Sequence, residues 1–74
     1  MFEKMKLNKE IKLLKNTIEE LEKKRLRSQS ALVTAILEQK DPKDEDVEFF
    51  NNFTRQIDAV REQLILAEEK RNKL

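Results

Sequence analysis

The sequence predicts an all-α fold: an antiparallel, coiled-coil-like two-helix hairpin. Two apolar stripes of heptad spacing point to it, one on either side of the only proline. So does a composition of 42% Asp, Glu, Lys and Arg with no glycine. Long solvated helices have that composition, whereas sheet turns call for glycine. At 74 residues the chain is one small domain.

The first helix is expected over about 3–39. Residues 1–8 hold Phe2, Met5 and Leu7 among lysines, a start that either extends this helix or frays. From Leu7 the spacing is strict: Leu7, Ile11, Leu14, Ile18 and Leu21 recur at alternating steps of four and three, along one face of a helix. Glu19 with Lys23 and Glu20 with Lys24 add acid-before-base pairs at i,i+4. The same register carries Arg25 and Ser28 into the seam before Leu32 and Ala35 restore it. A seam arginine either fixes register and partner choice or runs its stem out to water, and the second is the cheaper arrangement. Ala31 to Leu37 is apolar nearly all round, which one neighbouring helix does not require, so a second face is expected to be covered.

The turn is expected at about 40–42. Asp41 suits a helix N-cap, Pro42 the first helical position, and Asp44, Glu45, Asp46 and Glu48 the positive end of a new helix. The second helix, about 42–73, carries Phe50, Phe53, Ile57, Val60, Leu64, Ala67, Arg71 and Leu74 as its seam. The equivalent seam positions Leu32 and Phe50 are eighteen residues apart, not a multiple of seven, so a turn fits better than one continuous helix. A connection this short makes the helices antiparallel neighbours.

Folding at that turn sets Leu37 and Ile36 near Phe49 and Phe50, Val33 near Phe53, Ser28 near Ile57, Arg25 near Val60, and Leu21 near Leu64. Residues before about Ile11 then overhang the end of the second helix as a candidate contact surface. Leu13, Leu26, Phe49, Ile65 and Leu66 stay off the seam, more apolar side chains than a solvated hairpin leaves exposed. Two helices meeting along one seam bury little, so dimerisation into a helical bundle, or a helical partner, is expected to complete the core.

Composition excludes much chemistry. No cysteine means no disulfide and no thiolate metal site, and no histidine removes the commonest metal ligand and general base. No apolar run reaches the ~18 residues that cross a bilayer, and the N-terminus lacks a signal-peptide core, so the chain reads as cytoplasmic. The acidic cluster from Asp41 to Glu48 lacks the glycine and ligand alternation of a calcium loop, and helix capping accounts for it. Ser28, Ser30 and Thr34 have no base to activate them. Neither catalysis nor a cofactor or metal is expected.

Protein binding is the expected function, through a surface that combines Leu26, Ala31, Val33, Ile36, Leu37, Phe49 and Leu66. Phe49 lies one position around from the seam and reads as the free ring, while Phe50 and Phe53 are occupied within the hairpin. The alternative is nucleic-acid contact through Lys23, Lys24, Arg25 and Arg27. Residues 1–28 hold nine Lys or Arg against five Glu, but no ring lies among these four to stack on a base.

The Ala31 to Leu37 block, the Asp41-Pro42 break, and Phe49 and Phe53 ahead of a second heptad helix resemble the small helical-hairpin co-chaperones of type III secretion needle subunits. The likeness spans about half the chain and implies an adaptor or chaperone that holds another protein. The shape is also similar to plasmid-encoded RNA-binding hairpins that dimerise into four-helix bundles. Those gather basic residues on one face of the first helix, where this chain has Glu10, Glu19, Glu20 and Glu22. A small phage or mobile-element protein that modulates a host protein fits the same surfaces.

Overall fold

A computed structural model describes residues 2–74. Two helices account for almost all of them: α1 (Phe2–Leu37) and α2 (Asp44–Asn72). They pack side by side into an antiparallel hairpin measuring 56 × 15 × 14 Å. The amphipathic start is helical from Phe2; Met1 lies outside the described residues.

The seam residues face inward as their spacing predicts. Leu7, Ile11, Ile18 and Leu21 of α1 and Ile57 and Ala67 of α2 are buried, and Leu14, Arg25, Ser28, Leu32, Ala35, Phe50, Phe53, Val60, Leu64 and Arg71 are half-buried. Leu74 departs from the pattern and is exposed, because α2 ends at Asn72. Ile57, wholly excluded from solvent, packs on Ile18 and Leu21, with Phe53, Val60 and Leu64 around them.

Both helix ends at the turn differ from the expected boundaries. Gln39 takes a left-handed conformation, φ 58°. Its N–H donates to the Ile36 carbonyl at 3.0 Å, and the Lys40 N–H donates to the Ala35 carbonyl at 2.9 Å. That pair of bonds satisfies carbonyls the helix end leaves open and stops α1 at Leu37, with glutamine in a place that favours glycine. At the other end the N-cap is Lys43, with no side-chain cap, so Asp41 and Pro42 belong to the link rather than to α2. Asp44, Glu45 and Asp46 occupy the first turn of α2 and Lys70 and Arg71 its last, each complementing the helix dipole.

This six-residue link changes how far one helix slides along the other. Arg71 donates to Asn8 Oδ1 at 3.2 Å, Arg61 to Glu22 Oε1 at 2.7 Å, and Arg25 reaches Thr54 Oγ1 at 3.5 Å. Ile57 meets Ile18 and Leu21 rather than Ser28. The facing pairs expected for Leu37, Val33, Ser28, Arg25 and Leu21 are therefore displaced by about six residues, ~9 Å along the axis. Sliding by one heptad leaves every seam residue in the seam, so the stripes fix rotation while the link fixes translation. The expected overhang before Ile11 accordingly disappears: Leu7 is buried, Asn8 is bonded to α2, and Leu7 and Glu10 share a shallow cleft with Lys70 and Leu74.

Candidate protein-binding surface

The residues expected to form one surface lie on two sides of the hairpin. Both helices continue their heptads, so positions flanking the seam on one side of α1 adjoin the equivalent positions of α2. Glu22 and Arg61, joined by an ion pair, mark the first side. Leu26 lines a shallow depression there with Glu19, Glu22 and Lys23. Val33 lies seven residues on from Leu26, and Ile36 and Leu37 adjoin it over the next turn. Leu37 at 78% and Ile36 at 66% are among the most exposed apolar side chains described, and Val33, at 46%, is less so.

Phe49 and Leu66 belong to the second side. Phe49 and Phe53 line a groove with Lys24, Arg27 and Ser28, and Leu66 lines a cleft further along with Glu10, Gln63 and Lys70. Ala31 is half-buried and contributes little to either side. Phe49 is more exposed than Phe50 and Phe53, which are half-buried in the seam. Its ring stacks on Phe53, with centroids 6.4 Å apart and planes 23° from parallel, although the residue keeps 46% of its surface exposed.

The basic residues separate in the same way. Arg25 does not run out to water: half-buried, it sets its guanidinium 5.8 Å over the Phe50 ring. Lys24 and Arg27 stand beside Phe49 and Phe53, so the fold supplies the aromatic neighbours that they lack in the sequence. Lys23 lies next to Leu26 on the first side.

The turn-proximal end of the hairpin is also marked by a gap in charge. Residues 28–37 and 49–54 carry no charge at all, in a chain where 42% of residues are charged. The second run lies against residues 24–28, and the first continues from there to the turn, where Val47 is a further exposed apolar side chain. The signal is a gap in charge, visible without any periodicity. Charge returns sharply on both sides: Lys23, Lys24, Arg25 and Arg27 precede the first run, and residues 38–48 hold six acids against two lysines.

Among the described residues there is no group of three or more acidic side chains placed to hold a metal ion, and the acids after the turn sit in the first turn of α2. No described helix is long and apolar enough to cross a membrane. Comparison with protein-family models, with curated proteins and with solved structures finds no match to this chain.

Proposed function

We propose that the chain is a protein-binding helical hairpin, an adaptor or chaperone-like module, that engages its partner with the turn-proximal outer face of α1. Leu26, Val33, Ile36 and Leu37 form the contact, with Val47 beside them. The observation that carries this reading is the conjunction of high apolar exposure and missing charge on one stretch of helix. Scattered exposed apolar side chains are ordinary, whereas a contiguous patch rimmed by charge marks an interaction site. The groove beside Phe49 supports a second reading, nucleic-acid contact through Lys24 and Arg27, since it sets cations next to a partly exposed ring. Binding of that kind fades steeply as salt rises.

A photo-crosslinking residue at Val33, compared in the native cell with one at Lys9 on the charged part of the same helix, tests the first reading. Protein adducts from position 33 and few from position 9 are the expected result. Equal yields from both sites, or none from either, would overturn it.

A further inference from the structure

We infer that the groove beside Phe49 binds single-stranded nucleic acid, with a base stacked on the Phe49 ring and phosphates held by Lys24, Arg27 and Arg55. This rests on the reading of that groove as a nucleic-acid contact and names the form of strand it takes.

Phe49 and Phe53 lie one turn apart on α2, and their stack, with centroids 6.4 Å apart and planes 23° from parallel, backs the Phe49 ring while 46% of the residue stays exposed. A ring already held in place loses little freedom when a base settles on it. Stacking of this kind is open to an unpaired, splayed base, whereas the bases of a duplex are already covered on both faces by their neighbours. The ring therefore selects a single strand. An acidic peptide could use the same cations, but its carboxylates offer no flat face to lay on Phe49.

Lys24, Arg27 and Ser28 line the same groove as the two rings. Among the described residues the ion pairs are Lys40 with Glu38 and Arg61 with Glu22, so Lys24 and Arg27 are left without an acid, although Glu20 stands one turn before Lys24. Their charge is free for a ligand. Arg55 donates to Asn52 Oδ1, and Asn52 flanks the seam on the same side between Phe49 and Phe53, which sets a third cation at the rim.

From Lys24 to Thr34 on α1, and from Phe49 to Ala59 on α2, the positions flanking the seam on this side include no acid over ~15 Å. The other side carries Glu22 and Asp58 over the same length. Asn52 and Gln56, both exposed, add amides that donate to and accept from base edges and phosphates. A repulsion-free strip thus runs past the ring.

The test uses the full chain and a labelled oligothymidylate of about twelve nucleotides, with a DNA duplex and a polyglutamate peptide of equal length as comparisons. Fluorescence anisotropy should show the single strand bound at least about fivefold more tightly than either, the worth of one stacked base. Its log K should fall by about 2 per decade of salt, as three phosphate contacts on a single strand require. Lys24→Gln with Arg27→Gln should lower that slope by about 1.4, while Lys9→Gln with Lys12→Gln, on the far half of α1, should leave it unchanged. The chain has no tryptophan, so Phe49→Trp gives an emission that reports from this position alone. The single strand should quench it. Phe49→Leu, which keeps an apolar side chain but loses the flat face, should bind about fivefold more weakly or worse. Circular dichroism checks helix content, and if Phe49→Leu unfolds, the quenching in Phe49→Trp decides alone.

Equal loss of slope from the two lysine-bearing pairs, no quenching, or polyglutamate bound as tightly as the strand would each overturn the inference, by reducing it to charge. A duplex bound as tightly as the single strand would overturn it too, and leave nucleic-acid contact at the groove standing. No binding to either nucleic acid at low salt removes both.

Discussion

The guanidinium of Arg25 lies 5.8 Å over the Phe50 ring of the opposite helix, inside the seam that the two helices share. A charged residue here interrupts a heptad stripe, and the fold accommodates it by giving it an aromatic face and the Thr54 hydroxyl, which itself donates back to the Phe50 carbonyl. Arginine is suited to this, being planar and weakly hydrated, and lysine is not. Arg25→Lys should therefore cost ~0.5–1 kcal/mol. A double-mutant cycle with Phe50→Leu, read by urea melts, should give a coupling of similar size. A coupling indistinguishable from zero would mean that the ring and the cation do not interact.

Gln39 offers a test of the turn. A residue with a β-carbon pays roughly 1–2 kcal/mol in the left-handed region, and glycine does not, although glycine gives some of that back through a freer unfolded chain. Gln39→Gly should raise stability by ~0.5–1 kcal/mol, and Gln39→Val should lower it by more. Thermal melts of the three chains at one concentration decide the matter. Equal melting points for glycine and valine would show that position 39 is not left-handed in solution.

The interior is small, so its members should be unequal. Ile57→Ala removes a side chain fully closed off from water, at ~2–5 kcal/mol. That is comparable to the whole stability expected of a 74-residue domain, ~4–11 kcal/mol. Ile65→Ala, on an exposed face, should stay within about 0.5 kcal/mol. Phe49→Ala and Phe53→Ala should not act independently, because the rings stack; a coupling of ~0.5–1.5 kcal/mol is expected. The melts need matched concentrations, since association shifts apparent stability. Additive losses at 49 and 53 would argue that the stack is absent.

The hairpin, its antiparallel sense and the identity of nearly every seam residue were legible in the heptads, because rotation about a helix axis follows directly from spacing. Leu7, Ile11, Ile18, Leu21, Ile57 and Ala67 are inward for that reason alone. The turn was legible through Pro42, but its boundaries were not. They depend on Gln39 adopting a conformation that no glycine announced, and on Lys43 capping α2 without a side-chain bond. The exposure of the candidate residues was legible one by one, but their division between two sides was not. Leu26, Val33, Ile36 and Leu37 do share one side, but Phe49 and Leu66 fall on the other, because which flank of α1 adjoins which flank of α2 appears only once the hairpin closes. The charge-free runs at 28–37 and 49–54 are as plain in the sequence as any heptad and point to the same end of the molecule.

Register along the hairpin is the property that the stripes leave open, and it can be measured directly. The chain has no cysteine, so a nitroxide placed at Arg71→Cys reports from one site only. Arg71 meets Asn8 in the fold, whereas closing the turn at 40–42 would set it near Leu14. The two alternatives differ by six residues, ~9 Å along α1, which the steep distance dependence of paramagnetic broadening resolves. Amide signals should be lost most strongly around Asn8 and recover toward Ile18. Dilution with unlabelled chain separates this effect from contacts between copies, since the broadening within one chain survives dilution. Arg71→Cys itself removes only an exposed hydrogen bond, and its cost should be within about 1 kcal/mol, too little to unseat Leu7, Ile11 and Ala67 nearby. Broadening centred on Leu14 would show that the helices sit six residues further along one another and that the turn closes at 40–42.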